Sequence, residues 1–560
     1  MSTLIKQKSF KIPINFIEQE DRYNQLLEDL KSYGNDEYFF ITTLERGEKK
    51  YYHVIHKDIY KSCGADDKEK IKKYKSYKFG TLKDFIIHIF KLYDIDTDLY
   101  FDNKKAIETS VEKALSKQFP VKIIFDPKSE QGLIEDEGFA LLNSFKKTRY
   151  MQIANTIKER HAHLSEEDFK KAFPYFSDLL LNLCENNYNY VKILLNHFAN
   201  IVQRREKTNV LFVFKSMQGA GKGIMLENIL APLLHKDQVI TKSLDALDKR
   251  FNADLAEALL IAIDESQYDA KKNNKTSEKI KQIASNKKIE IEKKNINSEH
   301  LDTFFNLIAF TNNSDGIKID VDDRRYYVFE GVMKLEVLIK KKYKNELKKY
   351  NNSFIKFIEC NLVNNKVEKE KLLTYISTLL VNEDFSKNAD LANESKIQMM
   401  FSTNNLVDIF TKAIERKNKY VLKYLYEKLV EINEENKFEN AENEDQLPVF
   451  SREELDRFFI DLIEKGKVAK SLTHRIVKVF LSQNEKTYGI KRISSVLDKR
   501  LKTGKDSKGI RYYKLETPAE FTAEEFFNEI NNKELELSEI FEESFTLNEL
   551  DNLLAEASNI

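Results

Sequence analysis

One stretch constrains the fold more than any other: Asn209-VLFVFKSMQGAGKGIMLENILAPLL. An apolar run of strand character breaks into a glycine-rich turn, and apolar residues at helical spacing resume directly after it. A strand that stops in such a turn and feeds a helix has the local geometry of a phosphate cradle. Gly219 and Gly221 let the backbone curl so that its N–H groups converge. The helix N-terminus that follows adds positive potential at the same point. Strand and helix patterns alternate from about 209 to 335, as in an α/β core.

Compared with the P-loop pattern GxxxxGK[ST], residues 216–223 match at Gly221 and Lys222 and depart twice. Ser216 stands where the first glycine belongs, and Gly223 where the Mg²⁺-binding Ser or Thr belongs. The cradle would comprise Gln218, Gly219, Ala220, Gly221, Lys222, Gly223 and Ile224, with Lys222 reaching the β- and γ-phosphates. A generic glycine-rich helix start is the alternative. A second apolar strand, Glu257-ALLIAIDES, ends in Asp264-Glu265 about 42 residues after Lys222. There Asp264 would hold Mg²⁺ through water and Glu265 would polarise the attacking water, although an acidic pair at a strand end also serves as a helix cap. A third, Thr303-FFNLIAFTNNSDG, ends in Asn312 and Asn313. An amide there can reach a γ-phosphate, or simply open a turn. A fourth element opens with Asp323-Arg324-Arg325. These arginines are salt-bridge partners or, in a ring, one is a finger for the neighbouring subunit's phosphate.

In this order, over about residues 203 to 330, the elements resemble superfamily-3 helicases of the phage and plasmid primase-helicase branch. Lys249-Arg250-Phe251-Asn252, the segment Lys279-IKQIASNKKIEIEKKNINSEH and Asp323-Arg324-Arg325 carry the resemblance beyond the phosphate motif, and GKG in place of GKS or GKT occurs in that branch. The resemblance implies an α/β AAA+-like P-loop ATPase core working as a homo-hexamer with ATP and Mg²⁺. It makes Lys222, Asp264, Glu265 and Asn312 the catalytic set. Arg324 becomes the preferred finger and Arg325 the second candidate. It also implies single-stranded and forked DNA as partners, 3′ to 5′ travel, and a possible primase or polymerase partner. Ile289-Glu290-Ile291-Glu292-Lys293-Lys294 alternates apolar and polar residues and then presents two lysines at a turn. Lys293 and Lys294 would grip backbone phosphates inside a ring, or form only a solvated charged hairpin.

At 560 residues the chain needs several cores. An N-terminal α+β region (1–145) is expected, then a helical collar (146–205), the ATPase core (206–335) and a helical region (336–440). A basic winged-helix-like domain (448–516) and an acidic helical tail (517–560) complete the division. Asp94-Ile95-Asp96 superficially offers a metal pair but follows a helix-like run, so a polar loop is the reading. The formal net charge of +0 hides an asymmetry. Residues 465–514 hold 15 Lys/Arg against 3 acids, a net of +12, whereas the tail from Pro518 holds 12 acids against Lys533, a net of −11. Such a tail would cover the basic domain and compete with DNA, or only solubilise. Three scattered cysteines, no secretory signal and no run near the roughly 20 apolar residues of a membrane span point to a soluble protein in a reducing cytosol, and the resemblance implies that of a bacterial host. Two rivals stay open: a AAA+ remodelling or DNA-packaging ATPase, and an ATP-binding replication initiator with little turnover.

Overall fold

The computed structural model describes residues 14–45, 49–57, 76–118, 121–129, 132–136, 139–243, 253–264, 280–291, 299–313, 317–320, 323–384, 393–403, 449–451, 490–492, 512–515, 541 and 543–560. Strands are numbered in chain order. Near the N-terminus, β1 (Tyr38–Glu45), β2 (Lys49–His56) and β3 (Ser76–Phe79) form an antiparallel meander. Period-two alternation sends Phe40, Tyr52 and Val54 to one face, where they pack on the helices Ile14–Lys31, Leu82–Leu92 and Lys104–Leu115. Ile41 and Ile55 face the other way, onto a small sheet of β4 (Val121–Ile124), β5 (Gly132–Asp136) and β6 (Phe139–Asn143). The Asp94–Asp98 run is a helix approach: Asp94 pairs with Arg22 at 2.7 Å and Asp96 accepts from the Asp98 N–H at 3.0 Å.

The central sheet is built from β7 (Leu211–Lys215), β8 (Val239–Ser243), β9 (Leu260–Asp264), β12 (Asn306–Thr311) and β13 (Tyr326–Glu330). Its order is β13-β7-β12-β9-β8, with every pairing parallel. β7 and β12 are buried along their whole length, which is why they read as unbroken apolar runs rather than alternating ones. The chain leaves β7 for the far edge at β8, returns through β9 and β12, and crosses β7 to finish at β13. Between β9 and β12 an antiparallel hairpin projects from the sequence, β10 (Lys288–Ile291) and β11 (Glu299–Asp302), with Ile291 opposite Glu299. Lys293 and Lys294 lie in 292–298, outside the described residues.

Helices Arg149–Thr156, Glu166–Ala172, Pro174–Leu183 and Tyr188–Arg204 precede the sheet and share one core with it and with the later helix Lys366–Thr378. The Tyr188–Arg204 helix is buried nearly all round because it lies inside this core, and its polar Lys192, Asn196, His197 and Asn200 are buried with the apolar residues. The end of the chain joins the same core. Helix Leu547–Ser558 starts at a capping box on Thr546 and Glu549 and buries Leu550 and Ala557. Upstream of it Phe541 is buried, Phe545 stacks on His161 with centroids 4.0 Å apart, and Glu543 pairs with the fully buried Lys192 at 2.7 Å. The described end of the acidic tail thus packs on the core, while the rest of the tail expected to cover the basic domain, 518–540, lies outside the described residues. At that end the apolar residues Phe541, Leu550 and Ala557 are buried in the core, with Phe545, Leu553 and Leu554 packed against it.

Of the basic region, three short strands are described: β14 (Val449–Ser451), β15 (Ile490–Arg492) and β16 (Tyr512–Leu515). They form one antiparallel sheet with β16 in the middle. The rest of the expected winged-helix-like domain, and the tail from 517 to 540, lie outside the described residues.

Candidate functional site

The parallel sheet brings the carboxyl ends of β7, β9 and β12 to one edge, and the chain's departure from β7 to the far edge opens a crevice there. A cavity of about 770 Å³ occupies that edge. Gln218, Gly219, Ala220, Gly221, Lys222, Gly223 and Ile224 form one wall, and Asp264, Thr311 and Asn312 stand opposite. Phe354 and Ile358 close the apolar side. β7 thus delivers the loop, β9 delivers Asp264, and the strand between them delivers Asn312.

The loop holds its shape by backbone conformation and by neighbours. Gly219 has φ +86° and Gly221 φ +110°, both in the left-handed region that L side chains avoid. A Cβ on Gly221 would also fall 2.3 Å from Leu179 Cδ1. One of the two departures from the phosphate pattern has a spatial explanation. Ser216 fits because its neighbour is Gly331, where an added Cβ would come 2.5 Å from the Ser216 Cβ. The glycine missing at 216 is supplied across the contact at 331. At Gly223 an added Cβ meets nothing within 4 Å. Steric need does not exclude a hydroxyl residue there.

The Lys222 ammonium donates to Asn312 Oδ1 at 2.8 Å, to the Ser216 carbonyl at 2.9 Å and to the Thr311 carbonyl at 3.4 Å. Burial pushes its pKa below the usual lysine value, and the Asp264 carboxylate partly opposes that shift. Asp264 is the one exposed residue of an otherwise buried strand. Glu265 follows it directly and lies outside the described residues.

Sequence reasoning missed the clamp behind the loop. Asn182 is completely buried at the end of helix Pro174–Leu183. Its side-chain amide donates to the Ala220 carbonyl at 3.0 Å and to the Met333 carbonyl at 2.9 Å, while its oxygen accepts from the Met333 N–H at 3.1 Å. One side chain therefore fastens the loop to the segment that follows β13. The Leu335 N–H adds a bond to the Gly219 carbonyl at 2.9 Å. Nothing local in the sequence marks Asn182, because its partners are distant in the chain.

Arg324 and Arg325 are not at this cavity. They precede β13, whose Tyr326 is in register with Leu211, so they sit at the opposite, amino-terminal edge of the sheet. The strand alone separates the two edges by roughly 16 Å. Arg325 bonds both oxygens of Asp323 (3.1 and 3.2 Å) and the Ser285 hydroxyl (3.2 Å). Arg324 is exposed and has no hydrogen-bond or ion-pair partner among the described residues.

A family model described as a family of unknown function, DUF5906, matches residues 214–325. The match begins inside β7 and ends on Arg325, so it encloses the loop, Asp264 and Asn312. A DNA primase-polymerase of Nitratiruptor phage NrS-1 is 27% identical over 198 residues, which is 35% of this chain. The matched stretch spans only 26% of that phage protein. Among solved structures, an apo form of the NrS-1 C-terminal region is 17% identical, with 88% of this chain and 98% of that one covered at a TM-score of 0.49. Another apo form is 18% identical, covering 71% and 85% at a TM-score of 0.41. This chain is thus related by sequence to a phage DNA primase-polymerase, and it is a mixed α/β protein with a parallel five-stranded sheet. No helix among the described residues is long and apolar enough to cross a membrane.

Proposed function

We propose that the chain is an ATP-hydrolysing motor acting on DNA in phage or mobile-element replication, a helicase of the superfamily-3 type with a AAA+-like core. One observation carries the reading: the glycine-rich loop with Lys222, the Asn312 tip and the Asp264 carboxylate converge on one cavity from three neighbouring parallel strands. That arrangement suits a nucleoside triphosphate. The loop N–H groups and Lys222 would take the phosphates, and Asn312 would sense the terminal one. Asp264, a hard oxygen donor beside a phosphate cradle, fits Mg²⁺, which would supply charge neutralisation of the phosphates. Glu265, next along the chain, would take the proton of the attacking water.

The far-edge placement of Arg324 supports a ring. It is too distant to serve its own chain's cavity, and it is exposed, whereas Arg325 is engaged by Asp323. A second copy would present Arg324 to this cavity, which favours Arg324 over Arg325 as the finger. A ring would also place the hairpin tips, with Lys293 and Lys294, around a central strand of DNA. The kinship to a DNA primase-polymerase supports the replication setting. Unwinding of a forked duplex by the full chain with ATP and Mg²⁺ tests the proposal. Strand separation that Lys222→Ala abolishes supports it. ATP hydrolysis without unwinding would favour a remodelling or packaging ATPase, and binding without hydrolysis an initiator.

A further inference from the structure

The cavity contains a carboxylate that the phosphate pattern does not account for. Glu227 lies one helical turn beyond Gly223 and lines the same cavity as Lys222 and Asp264. It is exposed to that space and has no hydrogen-bond or ion-pair partner among the described residues. The other glutamate in the lining, Glu336, is matched by Lys340 at 2.5 Å. Side chains on a helix tilt toward its N-terminus, so the residue four positions on covers the turn before it. Residues 226–230 form a single wider π-type turn, so Glu227 follows Gly223 on the same side of the helix without touching it, and the space at Gly223 is open: an added Cβ there meets nothing within 4 Å.

A bare carboxylate beside polyphosphate repels it, and a divalent cation between them reverses the sign. Mg²⁺ takes one or two carboxylates together with phosphate oxygens and several waters. The cavity lining offers two carboxylates for such a shared site, Glu227 and Asp264.

We infer that Glu227 replaces the hydroxyl that Gly223 lacks, so that Glu227 and Asp264 together bind the divalent cation that accompanies the nucleotide. This rests on the nucleotide reading of the cavity. The consequence is a stronger dependence on the metal than a hydroxyl ligand gives, because without the cation Glu227 opposes the phosphates.

Equilibrium binding of a fluorescent ATP analogue to the full chain, in EDTA and across a Mg²⁺ titration, reads this without hydrolysis. A Mn²⁺ resonance titration of the same complex reports metal binding directly. Wild type should tighten by about tenfold or more on adding Mg²⁺. Glu227→Gln should bind at least as well as wild type in EDTA, gain less than about threefold from Mg²⁺, and hold Mn²⁺ more weakly. Adding Gly223→Ser to Glu227→Gln should recover the Mg²⁺ gain. Full Mg²⁺ enhancement in Glu227→Gln would overturn the inference. So would an equal loss of affinity with and without Mg²⁺, which would make Glu227 a packing residue. Wild-type binding that Lys222→Ala leaves unchanged would instead bring down the nucleotide reading itself, and this inference with it.

Discussion

The Lys222 ammonium and the Asn312 amide oxygen lie 2.8 Å apart, a bond that ties the glycine-rich loop on β7 to the tip of the adjacent strand β12. It is a charge-assisted bond to a neutral acceptor, made by a lysine whose burial already disfavours its charge. An arriving phosphate would compete with Asn312 for Lys222 and free the amide to turn. Asn312→Ala should therefore keep ATP affinity within a few-fold while lowering hydrolysis on the order of a hundredfold, as loss of one preorganised polar group does. Steady-state turnover beside calorimetric binding checks this. Unchanged turnover would remove Asn312 from the site's chemistry.

The two arginines before β13 should separate cleanly. Arg325 holds Asp323, whose side chain is only 3% exposed, so Arg325→Ala should destabilise the chain by about 1–2 kcal/mol after allowance for the arginine's own exposure. Arg324→Ala should cost under about 0.5 kcal/mol, as surface changes do. Its effect should fall on turnover, and only where subunits meet. Urea unfolding and ATPase assays of both variants decide. Normal turnover in Arg324→Ala with loss in Arg325→Ala would exchange their roles.

Asn182 offers a test of the loop's support. Asn182→Leu keeps the volume but strands the Ala220 carbonyl and both backbone groups of Met333. Buried unpaired groups cost about 1–3 kcal/mol each, and partial relaxation brings the expected loss to roughly 2–4 kcal/mol. Chemical denaturation measures it, and nucleotide affinity should fall with it because the loop loses its anchor. A variant as stable as wild type would show that the clamp is incidental.

Acid should release the C-terminal segment. Burial lowers the pKa of His161 to about 4 and of His163 to about 3, from an ordinary value of 6.5. The unfolded chain takes up protons below pH 6.5 that these folded rings refuse. Their contribution to stability is thus complete above pH 6.5 and is lost as pH falls, by up to about 1.4 kcal/mol per pH unit for each ring. Both rings face the tail: His161 stacks on Phe545 near Glu549, and His163 meets Phe541 with Lys192 beside it. Protection factors for amide exchange in 541–560, taken against the slower intrinsic exchange in acid, should fall from pH 6.5 to 4.5, and His163→Phe should blunt the change. Constant protection over that range would contradict the docking described above.

The central strands were legible because burial on both faces leaves no room for alternation, and β7, β9 and β12 are apolar runs ending in polar residues. The loop, Asp264 and Asn312 follow from those ends. What stayed hidden depends on contacts between distant segments. Asn182 reaches Met333 from another helix, and Gly331 makes room for Ser216 from the end of the neighbouring strand β13. Glu227 reads as an ordinary surface glutamate until Gly223 and the cavity are placed beside it. The tail's charge pointed to the basic domain, whereas Phe541, Phe545 and Leu550 direct its end into the helical core. The residues alone did not show that Arg325 is engaged by Asp323, a contact that only the folded chain displays.

A working ATP site in this cavity must hydrolyse ATP through Lys222. Release of labelled phosphate from ATP by the full chain, with and without single-stranded DNA, beside Lys222→Ala, addresses it most directly. Turnover that DNA stimulates and that falls to background in Lys222→Ala is the predicted result. No turnover in wild type, or turnover unchanged in Lys222→Ala, would contradict it.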